Sequence, residues 1–175
     1  MTKVIFSHGQ ESGPWGTKIQ AMSERVRALG CSVVSIDYQG IADPTMRVEK
    51  LIRECSDLSA PLILVGSSMG GHVATAAAEA LNAAGLFVLA PAYYMKGYEE
   101  LTPQPPSMPV CIVHGWHDDI VPVENSIRYA RECSATLHLV DGDHRLTGNI
   151  DAINQYLEQF LRNTIDKLGF KGETE

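Results

Sequence analysis

The sequence predicts an α/β fold in which a parallel sheet of about six strands lies between layers of helices. Short aliphatic runs alternate with longer amphipathic segments along the chain, and most of the short runs are nearly continuous in apolar residues. The alternation is typical of strands joined by crossover helices. Continuous apolar character is expected of strands that helices cover on both faces.

Six short aliphatic runs are the predicted strands: Lys3–Ser7, Cys31–Tyr38, Pro61–Gly66, Gly85–Ala90, Pro109–Gly115 and Thr136–Asp141. Between them the apolar residues recur with a helical period of 3.6 residues. The first such segment has Ile19 and Val26 on one face and stops at Gly30, and the second starts with an N-cap and a first-turn proline at Asp43-Pro44. The other predicted helices are Gly70–Leu81, Val123–Cys133 and Ile150–Leu168.

Composition and length indicate one soluble domain over residues 1–175. A formal charge of −7 disfavours nucleic acid and anionic membranes as partners, since both require basic patches. The apolar run at the N-terminus is too short for an export signal or a membrane span, so we expect a cytoplasmic protein with free thiols. Proline-rich residues 91–109 predict a short cap-like insertion, and residues 171–175 a disordered tail.

The segment "GSSMG" lies where the third predicted strand passes into a small-residue helix, and it matches the pattern G-x-S-x-G. In this frame Ser68 is the central serine and Ser67 is a variable position. A serine on a sharp strand-to-helix turn projects its hydroxyl above the sheet, and glycines at Gly66 and Gly70 relieve crowding. The amides that follow point towards a developing oxyanion, with the Met69 N–H as the first donor.

A serine nucleophile needs a base and an orienting carboxylate, and two later strand ends offer them. Asp118 and Asp119 follow the fifth predicted strand, and His144 follows the sixth. The order serine, acid, histidine is that of α/β hydrolases. Asp37 is a rival carboxylate at the same sheet edge, but it precedes the serine in the chain.

The chain resembles a minimal member of the alpha/beta hydrolase superfamily over about residues 3–161. The segments that carry this resemblance are "SHG", "GSSMGG", "HGWHDDIVP" and "GDH". The resemblance implies a three-layer fold with a reduced sheet, selects Asp118 as the acid, and assigns the second oxyanion donor to the Gln10 amide. It also implies that His8 is structural. The two strands that open the family's usual fold and the large lid of many lipases are absent.

Other side chains near the predicted strand ends allow further interpretations. His114, His117 and the two aspartates could form a metal cluster, but neither the spacing nor the neighbours support one, and no metal site is predicted. Four aromatic residues in loops expected at this edge are candidates for an acyl pocket: Trp15, Tyr93, Tyr94 and Trp116. Lys18, Lys96 and Arg145 could meet a substrate carboxylate, although solvated surface positions are their default interpretation.

The favoured function is hydrolysis of a carboxylic ester or thioester through an acyl-enzyme intermediate on Ser68. Its partner would be a small acyl substrate, and it needs no cofactor or metal. An amide-type serine hydrolase is the second hypothesis, and a hydrolase-like scaffold that binds a ligand without turnover is the third. The sequence leaves the acyl group, the leaving group and the oligomeric state open.

Overall fold

A computed structural model describes residues 1–172, with side chains described through Gly169. Its six strands form one parallel sheet in the order β2-β1-β3-β4-β5-β6. The strands are β1 Lys3–Ser7, β2 Ser32–Ile36, β3 Leu62–Ser67, β4 Gly85–Leu89, β5 Val110–Gly115 and β6 Thr136–Val140. The helices are α1 Thr17–Ala28, α2 Pro44–Cys55, α3 Met69–Ala78, α4 Val123–Cys133 and α5 Ile150–Gly172.

The helices cover both faces of the sheet and make the three layers that the sequence predicts. Helices α2, α3 and α4 pack on one face, and α1 and α5 pack on the other. Strand β3 shows why its sequence is apolar throughout: Leu64 packs in the first core, while Ile63 and Val65 pack in the second. The predicted fold class is therefore confirmed.

The structure shortens or extends several predicted elements for local reasons. Strand β2 ends at Ile36 because the next residues leave the sheet, and the Tyr38 N–H donates to the His8 ring instead (2.8 Å). Asp43 caps α2 as predicted, its carboxylate accepting from the Met46 N–H at 3.1 Å. Helix α5 includes residues 171 and 172 of the predicted disordered tail. The rest of that tail, residues 173–175, lies outside the described residues.

The segment between β4 and β5, predicted as a cap-like insertion, contains one short 3-10 helix at Glu99–Leu101. Its contacts tie it to the helices beside the sheet. The Tyr129 hydroxyl of α4 donates to the carbonyls of Pro103 and Gln104, at 3.1 Å each. Asn125 of the same helix donates to the carbonyl of Tyr93 at 2.8 Å. None of the described helices is long and apolar enough to cross a bilayer.

Because all six strands are parallel, their carboxyl ends meet at one edge of the sheet. Ser68 follows β3 directly, Asp118 lies three residues beyond β5, and His144 lies four residues beyond β6. Sites in open α/β sheets assemble at this edge. The topology thus brings the three predicted catalytic residues to the same side of the molecule.

Candidate active site

The turn between β3 and α3 holds Ser68 in an unusual backbone conformation, with φ 55° and ψ −121°. Its N–H donates to the Leu89 carbonyl of the neighbouring strand at 2.9 Å, which anchors the turn to the sheet. Glycines on either side are required by space: a Cβ on Gly66 would lie 2.3 Å from the Gly70 carbonyl oxygen, and a Cβ on Gly70 would lie 2.0 Å from the Ser7 carbonyl oxygen. A strained serine at a sharp turn is a common feature of functional sites.

Ser68, His144 and Asp118 form a continuous chain of hydrogen bonds. His144 Nε2 lies 3.1 Å from the Ser68 Oγ, and His144 Nδ1 lies 2.7 Å from the Asp118 Oδ2. The Asp118 side chain is fully buried, whereas 19% of the His144 side chain is exposed. With a proton on Nδ1, the imidazole donates to the carboxylate and can accept the serine proton at Nε2.

Backbone amides hold the second oxygen of the Asp118 carboxylate. Its Oδ1 accepts from the N–H groups of Ile120 and Val121, at 2.8 Å each. Burial acts to raise the pKa of Asp118, but the hydrogen bonds from His144 and from these two amides outweigh burial and hold that pKa below its usual value. The neighbouring Asp119, by contrast, is exposed.

His114 is a second histidine on Asp118, a contact that the sequence analysis did not predict. Its ring is fully buried, and its Nε2 lies 3.0 Å from both the Asp118 Oδ2 and the Val121 carbonyl oxygen. Two acceptors at one nitrogen assign the proton to Nε2, so Nδ1 accepts from the Ser126 hydroxyl at 2.6 Å. Burial lowers the pKa of His114, in keeping with a neutral ring. The signal in the sequence was the His-Gly pair that ends β5.

His117 and the rival carboxylate Asp37 make contacts outside the hydrogen-bonded chain. The exposed His117 pairs with Asp141 at 3.0 Å and not with the aspartates beside it. Asp37 is exposed and accepts from the Gln39 amide at 2.9 Å. His144 therefore receives its carboxylate partner from the β5 loop.

Residues around the predicted oxyanion donors fix the loop after β1. His8 is fully buried; its Nε2 accepts from the Tyr38 amide, so its ring is committed to the backbone. The Arg47 guanidinium donates to the Gly9 carbonyl at 3.1 Å, which holds the turn that leads to Gln10. A Cβ on Gly9 would lie 3.7 Å from the Ser68 Cβ, so this loop lies directly beside the serine.

Met69 is the first residue of α3. The first amides of a helix lack partners within it, so the Met69 N–H is available to a ligand at the serine.

Of the four candidate pocket aromatics, the two tryptophans are exposed and the two tyrosines are engaged elsewhere. Trp15 is 43% exposed and Trp116 is 53% exposed. The prediction for Tyr93 is wrong: its side chain is fully buried, shares a 2.6 Å hydrogen bond with Thr75, and stacks on Tyr129 with ring centroids 4.0 Å apart. Tyr93 belongs to the core beneath the loop.

Tyr94 is partly buried and directed towards α4. Its hydroxyl donates to the Glu132 carboxylate, and the Arg128 guanidinium lies 3.9 Å from its ring centroid. The Tyr94 backbone is in the left-handed region, with φ 49°. The Tyr94 side chain thus contacts α4, the helix that covers this part of one sheet face.

Comparison with known proteins supports this fold. The chain matches the family model of an alpha/beta hydrolase domain over residues 1–168. Curated relatives include the mitochondrial palmitoyl-protein thioesterase ABHD10 of Bos taurus and of Homo sapiens. Each is 26% identical to this chain, over 94% of this chain and 73% of the relative.

Solved structures give the same result. A protein from Xanthomonas campestris pv. campestris, described as a hydrolase of the alpha/beta superfamily, has a TM-score of 0.84 at 28% identity, covering 92% of this chain and 98% of that one. Est1E from Butyrivibrio proteoclasticus, solved with ferulic acid bound, has a TM-score of 0.77 at 16% identity over 95% and 90% of the two chains and shares the fold. Because the family model spans nearly the whole sequence, the chain belongs to the alpha/beta hydrolase family.

Proposed function

We propose that this protein is a serine hydrolase that cleaves a carboxylic ester or thioester, with Ser68 as nucleophile, His144 as base and Asp118 as the orienting acid. The observation that carries the proposal is the hydrogen-bonded chain from the Ser68 hydroxyl through the His144 ring to the Asp118 carboxylate. A scaffold that only binds a ligand has no need of this continuous chain, so the geometry favours turnover.

The proposed reaction begins with proton transfer from the Ser68 hydroxyl to the His144 ring. His144 Nε2 takes the Ser68 proton as Oγ attacks the carbonyl carbon, and the imidazolium is stabilised by the buried Asp118 carboxylate. Collapse of the tetrahedral intermediate breaks the bond to the leaving group, and the proton on Nε2 passes to the departing group or to solvent, so the ring is neutral again. His144 then deprotonates water, which attacks the acyl-serine; the bond from the acyl carbon to the Ser68 Oγ breaks, and Nε2 returns the proton to Oγ as the acid leaves.

The Met69 and Gln10 amides are the proposed donors to the tetrahedral oxyanion. Met69 begins α3 immediately after the serine, and Gln10 follows the loop that lies beside the Ser68 side chain. Removal of one such donor typically costs about 3 kcal/mol of transition-state stabilisation. The proposed chemistry calls for no cofactor or metal, since the proton moves between side chains, substrate and water.

The names of the relatives favour esters and thioesters over amides. The ABHD10 relatives are described as palmitoyl-protein thioesterases, which suggests an acyl substrate here as well. We propose Trp15 and Trp116, both exposed near this edge, as contacts for an apolar part of the substrate. An amide substrate remains the alternative, and the substrate panel below separates the two.

Intact mass after treatment with a fluorophosphonate probe tests the nucleophile. We expect one adduct on the wild type and on Ser67→Ala, and none on folded Ser68→Ala, because the Ser68 Oγ contacts the His144 ring whereas the Ser67 Oγ accepts from Lys18. Rates on matched butyryl ester, thioester and amide substrates then test the bond. Absence of an adduct on folded wild type would favour the binding scaffold, and preference for the amide would favour the alternative enzyme.

A further inference from the structure

Lys18 extends from the first turn of α1 to the residue that precedes the serine nucleophile. Its Nζ donates to the Ser67 Oγ at 3.3 Å. Ser67 continues the alternation of Ile63 and Val65 along β3, so its side chain points to the α1 face of the sheet. The sequence alone places Lys18 on the surface by default, whereas in the structure it is partly buried beside the site.

Lys18 has no direct ion-pair partner among the described residues. Of the ion pairs within 4.0 Å among residues 1–169, none includes its Nζ. Burial lowers the pKa of Lys18, and the more distant charges of Asp143 and Asp118 act in the opposite direction. Partial burial of an ammonium group without a close anion costs free energy. A bound anion would offset that cost.

The surroundings of Lys18 make it suited to an external anion. Asp143, the strongest of its acidic neighbours, is exposed and already accepts from the Arg145 and Leu146 amides through its Oδ1, at 3.0 Å each. Arg145 adds a second positive charge near Lys18. Lys18 and Arg145 thus offset the charges of Asp143 and Asp118 in this part of a chain whose net charge is −7.

We propose that Lys18 binds an anionic group of the substrate, a carboxylate carried on the acyl chain or on the leaving group. This rests on the proposed hydrolase function. Adjacent Cα atoms are about 3.8 Å apart, and Lys18 contacts the side chain of the residue next to the nucleophile. A substrate whose carboxylate is a few carbon atoms from the scissile carbonyl would therefore meet Lys18 and Ser68 together. Lys18 would therefore select substrates by charge.

Two substrate pairs, each differing only in one charge, test the proposal. For the acyl side the pair is 4-nitrophenyl hydrogen adipate and the neutral 4-nitrophenyl adipamate. For the leaving group it is the pentanoyl thioester of 3-mercaptopropanoic acid and that of 3-mercaptopropanamide. The measured quantity is the ratio of kcat/KM for the anionic and neutral members, in wild type, Lys18→Met, Lys18→Arg and Lys96→Met.

We expect Lys18→Met to lower this ratio about tenfold in one of the two pairs, the size expected for loss of a charged hydrogen bond. The affected pair identifies the side of the substrate that carries the anion. Lys18→Arg should retain much of the ratio. Lys96→Met removes the same charge from an exposed lysine, and it should leave the ratio unchanged because the hydrogen bond to Ser67 comes from Lys18. An unchanged ratio in both pairs, or an equal loss for anionic and neutral members, would overturn the proposal.

A separate measurement distinguishes failure of this inference from failure of the proposed function. If wild type hydrolyses neither pair and forms no fluorophosphonate adduct, the hydrolase proposal is wrong. Thermal unfolding with and without hexanoate then tests the anion site directly. Stabilisation by hexanoate that Lys18→Met abolishes would support the site, and equal behaviour of the two proteins would overturn it.

Discussion

The substitution Asp118→Asn tests the proposed triad most directly, because four N–H groups converge on this carboxylate. Oδ2 lies at the His144 and His114 rings, at 2.7 and 3.0 Å, and Oδ1 accepts from two backbone amides at 2.8 Å each. An asparagine side chain has one acceptor oxygen and one donor NH2. In either orientation its NH2 therefore faces two N–H donors at a fully buried position.

The orientation of the asparagine side chain depends on which of its hydrogen-bond partners can change from donor to acceptor. Backbone amides cannot reverse, and leaving a buried donor unpaired costs roughly 1–3 kcal/mol each. Histidines can shift a proton, so the NH2 of asparagine should face His144 and force its proton from Nδ1 to Nε2. The Ser68 hydroxyl then loses its acceptor. A triad histidine held in the wrong tautomer lowers kcat by about 10⁴, or ~5.5 kcal/mol of activation free energy.

Steady-state hydrolysis of 4-nitrophenyl butyrate at pH 7.5 measures this effect, with thermal unfolding as the check on folding. Asp119→Asn is the matched control, since Asp119 is exposed and its loss should leave kcat within about twofold. A folded Asp118→Asn that keeps more than a tenth of the wild-type kcat would refute the reasoning. Equal losses in the two variants would show that the acid is misassigned.

Two further outcomes are expected. In Gly70→Ala the new Cβ would lie 2.0 Å from the Ser7 carbonyl oxygen. We expect this variant to lose about 1–3 kcal/mol of unfolding free energy in urea and to lose fluorophosphonate labelling. Gly148→Ala is the control, because its Cβ would have nothing within 4 Å, and it should show neither effect. Burial lowers the pKa values of His8 and His114 from 6.5, so below about pH 6.5 the unfolded chain binds protons that the native protein does not. The free energy of unfolding should therefore fall as pH is lowered from 6.5 to 5; a constant value over that range would contradict this assignment.

The sequence by itself determined the layers of the fold and the chain order of the candidate catalytic residues. Apolar runs of five or six residues can be buried on both faces only as covered strands, and the parallel arrangement then places every strand end at one edge. Ser68 was identifiable because its turn needs small residues on both sides, a local requirement that Gly66 and Gly70 display directly. Asp118 was selected over Asp119 by family resemblance, and the buried contact with His144 lies on the selected residue.

Only the tertiary structure decided how deeply individual side chains lie and what they touch. Tyr93 resembles a loop aromatic in sequence, yet its ring is stacked in the core on Tyr129, which is 36 positions away. The contact of His114 with Asp118 depends on how the β5 loop folds back over its own strand. Lys18 reaches Ser67 only because α1 packs on the face of the sheet to which the Ser67 side chain points. Burial and hydrogen bonding depend on contacts between segments distant in the sequence, and a local residue pattern does not predict those contacts.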